Sequence, residues 1–291
     1  MSAEPSTRNP STTIPAAAFR AVFLDVDGTY ADYGVVPDGH VRAVRAARAA
    51  GHKVFLCTGR PLTMLPEAIR GAGFDGIVAS AGAYAEVRGA VLVDLRFPPD
   101  LAARTVATLD AHDAVYVLEA QESLHVPPAA EGRLHAIIEE HFSQLPDGGE
   151  LGASAILGAL QHDGDLSKVP FSKVSVFDSA APMRQLVAEI GEGIAAVENS
   201  IADEGRHAGE LYQRGISKAD GVAAVIAHFG IPREDTIAVG DGENDLEMVA
   251  FAGIGVVIEG SSPELLALAD RTAAPPAQEG LVAVFEDLGL T

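Results

Sequence analysis

Short apolar runs, each closed by a polar turn and followed by a stretch of helical spacing, set the rhythm of the chain's opening. Residues 21–24 (AVFL) are continuously apolar and stop at Asp25, as a strand buried on both faces does. From Asp38 to Ala50, Val41, Val44 and Ala47 recur at helical spacing, and Gly51 sits where a helix would stop. A second run (HKVFLC) ends at Thr58-Gly59-Arg60. A helix is then predicted from near Pro61 to about Ile69, followed by a short strand, GIVAS. Alternating strands and helices with short connections predict an α/β fold, a Rossmann-like parallel sheet with helices on both faces.

The same rhythm returns late in the chain. SKADGVAAVIAHF reads as an amphipathic helix with Gly230 just beyond it; DTIAVGDGENDLEMVAFAG reads as strand, acidic turn and helix; GIGVVI reads as another strand. A helix, a Pro-rich turn and a closing helix follow. The middle has a different texture. Strands are expected at AVYVLEA, SLHVP, KVSVFD, IAAVENS and GRHAGELYQ, and helices near 100–111, 131–142 and 180–190. That mixture suggests an inserted α+β unit with linkers near Gly82 and between Gly205 and Gly209. The expected division is a core of 19–83 and 209–291, an insertion of 84–208, and a disordered leader of 1–18, rich in Ser, Thr and Pro.

Charge narrows the possible partners. The 291 residues carry 41 acidic and 20 basic side chains, a net charge of −21, which opposes binding to nucleic acid or an anionic membrane. A small phosphorylated ligand stays compatible if a local cation and a metal screen its pocket. A single cysteine, Cys57, forbids an internal disulfide and suits a reducing, cytoplasmic setting. No run of about 18 apolar residues exists to span a bilayer, and the leader lacks the apolar core of a signal peptide.

Four polar turns carry the candidate chemistry. Asp25 and Asp27 stand two apart directly after the first strand, where open parallel sheets bind ligands. A divalent cation with oxygen ligands, Mg²⁺, would relieve their repulsion, leaving one carboxylate as nucleophile and the other as general acid/base. A solvated acidic turn is the plainer alternative. Thr58-Gly59-Arg60 offers a hydroxyl and exposed amides for phosphate, although Thr58 could simply cap a helix and Arg60 lie on the surface. Lys218 opens a helix, where the dipole opposes a cation, and makes sense there if it faces phosphate or carboxylates. In Gly240-Asp241-Gly242-Glu243-Asn244-Asp245, Asp241 and Asp245 could approach a metal, or the segment could be a capped helix start. The nine histidines have no zinc spacing. No G-x-G-x-x-G follows the first strand, which argues against dinucleotide binding.

Taken in order, DVDGT, CTGR, GISKADGV and VGDGENDLEM resemble the haloacid dehalogenase superfamily of phosphohydrolases, specifically its Cof-type (type IIB) branch with a large α+β cap. The resemblance covers roughly 19–83 and 209–291. It implies that Asp25 is the nucleophile and Asp27 the general acid/base, with Thr58 and Lys218 holding phosphoryl oxygens and Asn244 assisting. Mg²⁺ would be bound by the Asp25 side chain, the Asp27 carbonyl and Asp241, with Asp245 close by or acting through water. The implied activity is hydrolysis of a small phosphorylated metabolite, a sugar phosphate favoured, through an aspartyl-phosphate. A phosphotransferase or phosphosugar mutase, or a non-catalytic phosphometabolite sensor, are the alternatives. Ala81-Gly82-Ala83 departs from the family's usual Asn-Gly-Ala. Tyr30 replaces a commoner aliphatic residue, with either the entrance or the core as its place. Candidate cap contacts are His125, His162, Lys168 and Lys173, each with a structural or solvated alternative.

Overall fold

The structure is a computed structural model and describes residues 19–32, 34–143, 149–161, 166–197 and 205–291. The expected leader and His162 lie outside the described residues, as does the end of the IAAVENS strand. In chain order the first elements are β1 (Ala21–Leu24), α1 (Asp38–Ala49), β2 (Lys53–Cys57), α2 (Glu67–Arg70) and β3 (Gly76–Ala79). β4 (Tyr84–Val87), β5 (Ala90–Asp94), α3 (Pro99–Ala111), β6 (Val115–Glu119) and β7 (Leu124–His125) follow. Next come α4 (Glu131–Ser143), α5 (Gly149–Ala159), β8 (Leu160–Gln161), β9 (Lys173–Asp178), α6 (Met183–Ile190), β10 (Ile194–Val197) and β11 (Gly209–Gln213). The chain closes with α7 (Lys218–Phe229), β12 (Thr236–Gly240), α8 (Leu246–Phe251), β13 (Ile254–Ile258), α9 (Pro263–Leu266), β14 (Arg271–Ala273) and α10 (Gly280–Asp287).

These strands build two sheets. The larger has the order β14-β13-β12-β1-β2-β3-β4-β5 and is parallel from β14 to β3. β1 is central because both of its faces are buried. Val22 and Leu24 pack with Val44 and Phe285 from α1 and α10. Ala21 and Phe23 point the other way, towards Val222, Val225 and Met248 from α7 and α8. Helices therefore cover both faces, and the strand ends bring their following turns to one edge. α1 and α7 stop as expected, before Gly51 (φ +102°) and at Gly230 (φ +66°). Among the described residues no helix is long and apolar enough to cross a membrane.

The smaller sheet, β10-β11-β9-β6-β7-β8, is antiparallel apart from the β7–β8 pair. One face packs Tyr116, Leu118, Val174 and Leu211 against α3 and α6. The other carries Val115, Val117 and Phe177 under α4 and α5. The fold is thus α/β with an inserted α+β cap.

Several boundaries differ from the sequence reading. β4 and β5 form an antiparallel hairpin that extends the core sheet beyond β3, so the chain does not leave the core at residue 84. At the other end β11 pairs with β9 and β10, so Gly209–Gln213 belong to the cap sheet. The helix expected from Pro61 to Ile69 is split into a single 3₁₀ turn over Leu62–Met64 and α2. Pro66 explains the break, since its ring bars the preceding residue, Leu65 (φ −109°, ψ 85°), from helical geometry. α5 and β14 were not expected at all. Tyr30 is in the core rather than at an entrance: it is wholly buried, edge-on to Phe74 with ring centres 5.3 Å apart.

Candidate active site

Lys218 lies at the centre of the converging strand ends. Its first-turn position in α7 would leave an exposed cation against the helix dipole, yet the side chain is completely buried. Nζ donates to Asp25 Oδ1 at 2.7 Å, to Asp245 Oδ1 at 2.7 Å and to Asn244 Oδ1 at 3.2 Å. All three ammonium protons thus have acceptors, and two anions offset one buried cation. Burial alone would lower the lysine's pKa, but Asp245 and Asp25 outweigh it and hold the ammonium above its ordinary value.

Asp25 follows β1 directly, and its backbone N–H continues the ladder to the Val239 carbonyl. Burial pushes its carboxyl well up and Asp245 adds to the shift, while Lys218 opposes it. Asp241 approaches through a gap made by glycine. Gly28 has φ +77°, and a Cβ there would fall 2.2 Å from Asp241 Oδ2. Thr29 Oγ1 donates to Asp241 Oδ1 at 2.7 Å. The Asp241 carboxyl is nevertheless pushed up to about 6, by burial first and then by Asp245, with the Thr29 hydrogen bond pulling against them. Carboxylate oxygens of Asp25, Asp241 and Asp245 lie within 4.8 Å of one another.

Asp245 does double duty. Its Oδ1 holds Lys218, and its Oδ2 accepts the backbone N–H groups of Asp241 and Gly242, both at 3.0 Å. The residue ties the acidic loop to the buried cation; its bonds to the loop N–H groups match the capped helix start that the sequence left open, and the bond to Lys218 was not foreseen. Asp27 faces away from the three-acid cluster. Its exposed carboxylate takes a fork from Arg60, with Nε–Oδ2 at 2.7 Å and Nη2 on Oδ1. Arg60 is therefore a partner of the site and not a free surface charge.

Thr58 is buried at the end of β2, where its hydroxyl accepts the Arg60 backbone N–H at 3.1 Å. Beside it, the space a Gly59 Cβ would enter lies 3.4 Å from the Asn244 amide nitrogen and 3.9 Å from Lys173 Nζ. Backbone, amide and ammonium groups thus meet at one corner. The departing Ala81-Gly82-Ala83 segment is close by. Ala81 takes a left-handed conformation (φ 54°), and a Cβ on Gly82 would strike the Ser217 carbonyl at 1.9 Å.

A cavity of about 410 Å³ opens over these groups, lined by Asp25, Asp27, Thr58, Gly59, Asp241 and Asn244 on the core side. Its cap side carries Val117, Glu119, Leu124, Lys173, Ser175, Phe177 and Glu210. Of the four candidate cap contacts, Lys173 lines this cavity. Lys168 is exposed and His125 is buried against Ser123, and neither lines it. Glu119 and Glu210 were missed. Their signal was alternation: in AVYVLEA and GRHAGELYQ the glutamate stands beside a leucine, Leu118 or Leu211, that faces the opposite side of the sheet.

A family model described as haloacid dehalogenase-like hydrolase matches residues 22–285. The chain belongs to that family. Among haloacid dehalogenase-like relatives, YkrA of Bacillus subtilis (strain 168), provisionally named a phosphatase, is 24% identical over 276 residues, covering 93% of this chain and 98% of YkrA. A solved structure described as the subclass IIB sugar phosphatase BT4131 superposes with TM-score 0.76 at 22% identity, covering 94% of this chain and all (100%) of that one. BT1666 from Bacteroides thetaiotaomicron gives TM-score 0.76 at 22% identity, over 97% of this chain and 100% of that chain. At such identities the structures speak for the shared core and cap.

Proposed function

We propose that this haloacid dehalogenase-like hydrolase is a magnesium-dependent phosphatase acting on a small phosphorylated metabolite, a sugar phosphate in the first instance. The observation that carries the reading is the buried Lys218 held between Asp25 and Asp245, with Asp241 alongside and a cavity above. A lone structural ion pair would need no third acid beside it and no opening. The sugar phosphatase description of BT4131 supports the substrate class.

The residues fit a hard cation. Three carboxylates crowd within 4.8 Å, and a single lysine leaves them with excess negative charge. Asp25, Asp241 and the Asp27 carbonyl would hold Mg²⁺, with Asp245 close by. When bound it supplies positive charge that offsets the phosphoryl oxygens.

The chain's own groups account for the remaining steps. Thr58 and the Asn244 amide hold the phosphoryl group while Lys218 fixes Asn244 and Asp25 and offsets the charge, so that an Asp25 oxygen attacks phosphorus in line with the ester bond. The ester P–O bond breaks as Asp27 gives a proton to the leaving oxygen, and an aspartyl-phosphate remains on Asp25. Asp27 then takes a proton from water, which cleaves the acyl-phosphate and releases inorganic phosphate. Thr29 keeps Asp241 aimed at the cation, and Arg60 anchors Asp27 at the mouth.

The test is Asp25→Asn assayed with p-nitrophenyl phosphate. Turnover should fall by at least about 10⁴-fold, with an unchanged circular dichroism spectrum. Wild-type activity should vanish in EDTA and return with Mg²⁺. An active Asp25→Asn variant would overturn the nucleophile, and full activity in EDTA would overturn the metal.

A further inference from the structure

Gln121, in the cap turn between β6 and β7, reaches the core without lining the cavity. It is 3% exposed. Its Nε2 donates to Ser80 Oγ and to Ser172 Oγ, both at 3.0 Å, and its Oε1 accepts the Leu62 N–H at 3.4 Å. Its backbone carbonyl accepts the Thr63 N–H at 2.9 Å. A backbone N–H can only donate, so the Leu62 contact also fixes which end of the amide is oxygen. Ser172 belongs to the cap, whereas Ser80, Leu62 and Thr63 belong to the core. A buried, bonded amide of this kind has a single geometry, and it joins the cap to two separate places in the core.

Both places bear on Arg60. The Leu62–Met64 turn ends in the Met64 carbonyl, which accepts from Arg60 Nη1 at 3.3 Å, while the rest of the guanidinium forks onto Asp27. The Ser80 N–H donates to the Arg60 carbonyl and the Ala81 N–H to the Thr58 carbonyl, both at 3.0 Å. Ser80 (φ +48°) and Ala81 (φ +54°) are left-handed without being glycine, a geometry that persists only where neighbours hold it. The Gln121 amide, bonded to the Ser80 hydroxyl, is one of those neighbours.

We propose that Gln121 is a positioning residue for protonation of the leaving group. It holds the Leu62–Met64 and Ser80 turns, the turns hold Arg60, and Arg60 holds the Asp27 carboxyl within reach of the ester oxygen. This rests on the phosphatase reading, in which Asp27 is the proton donor, and adds a cap residue that never meets the substrate. As Asp25 forms its bond to phosphorus, the ester P–O bond breaks, its electron pair goes to the leaving oxygen, and the Asp27 proton follows. A carboxyl freed from its place slows a leaving group that needs that proton and spares one whose anion is stable by itself. The Ala81 bond to Thr58 adds a loss common to all substrates, so the ratio between leaving groups isolates Asp27.

The experiment measures kcat/KM of the full chain with Mg²⁺ on phenyl phosphate and p-nitrophenyl phosphate. The two share one ring, but phenolate is the poorer leaving group. kcat/KM covers the steps up to its departure, so later hydrolysis of the aspartyl-phosphate does not enter. Gln121→Met keeps the side chain's length without its hydrogen bonds and should lower the ratio of phenyl to p-nitrophenyl phosphate at least about fivefold. Ser80→Ala removes a single contact and should move the ratio the same way by at least about twofold. In an Arg60→Met background the link to Asp27 is already cut, so Gln121→Met should change the ratio by less than about twofold. Equal losses on both substrates, a smaller shift than these, or a shift that persists without Arg60 would overturn the role. Should Gln121→Met fail to fold, Ser80→Ala decides alone, and an unmoved ratio overturns the role. A wild type inactive on both substrates would overturn the phosphatase reading itself.

Discussion

The core site and the cap wall each set a buried lysine between two carboxylates, and they differ in how completely the charges are satisfied. In the core, Lys218 spends its three protons on Asp25, Asp245 and Asn244, and Asp245 uses its second oxygen on backbone N–H groups. In the cap, Lys173 donates to Glu210 at 2.8 Å, while Glu119 Oε2 stands further off at 3.3 Å. The first arrangement fixes atoms that must hold one geometry whatever the substrate. The second is looser, with Glu210 partly open to solvent. The fully bonded lysine is rooted at the ends of parallel strands, and the looser row on the face of the cap sheet that α4 and α5 partly cover.

The largest effect that sharpens this contrast is expected from Lys218→Met. Removing the cation leaves Asp25, Asp241 and Asp245 without a counter-charge. The loss of stability in urea denaturation should be about 3–5 kcal/mol, and kcat should drop by about 10²–10³-fold. Lys173→Met is expected to do less. Glu210 is partly open to solvent, so the stability loss should be about 1–3 kcal/mol. If the cap variant proved as destabilised as the core variant, the contrast would collapse.

A smaller effect separates the catalytic edge of the core from its scaffold. His40 on α1 is wholly buried; Nδ1 meets the Tyr30 carbonyl at 2.9 Å, and Nε2 accepts the Leu281 N–H at 3.3 Å. Both nitrogens are thus satisfied in the neutral ring with the proton on Nδ1. Burial lowers its pKa below the usual histidine range, with the Tyr30 carbonyl and Glu279 opposing. The unfolded chain then binds the proton more readily. The stabilising contribution is complete above the unfolded value, about 6.5, and is lost as pH falls through the lower folded one. Melting curves of wild type and His40→Gln between pH 7 and 5 should converge on acidification. Parallel curves would show that the ring's protonation is not linked to folding.

The core was legible in the sequence because both faces of its strands are buried. Continuous apolar runs such as AVFL and TIAV leave little choice of element, and a polar turn at the end of such a run must lie on the ligand edge. That is why Asp25, Thr58, Asn244 and Asp241 all line one cavity, with the buried Lys218 bonded to Asp25 and Asn244 at its edge. The cap was legible as strands and helices but not as a site. Glu119, Lys173 and Glu210 are ordinary charges in the sequence, and only strand order makes them neighbours. The hairpin of β4 and β5 escaped because Gly82 read as a linker, whereas it turns the chain left-handed (φ +99°) into β4, and Gly89 (φ +82°) makes the turn into β5. Asp27 and Arg60 show the limit on the core side. Each ends a predictable element, but nothing in the spacing says that the two side chains grip one another.

The place of β1 in the sheet has a consequence for synthesis. Its neighbour on one side, β2, emerges from the ribosome soon after it; the neighbour on the other, β12, lies beyond the entire cap. Until Thr236–Gly240 is translated, one edge of this wholly apolar strand lacks its partner. Asp25 likewise waits 193 residues for its lysine. Such long-range closure slows folding and leaves a sticky edge that invites association between chains. Truncations ending before β12 should therefore aggregate, and early engagement by a chaperone would raise the yield of the intact protein.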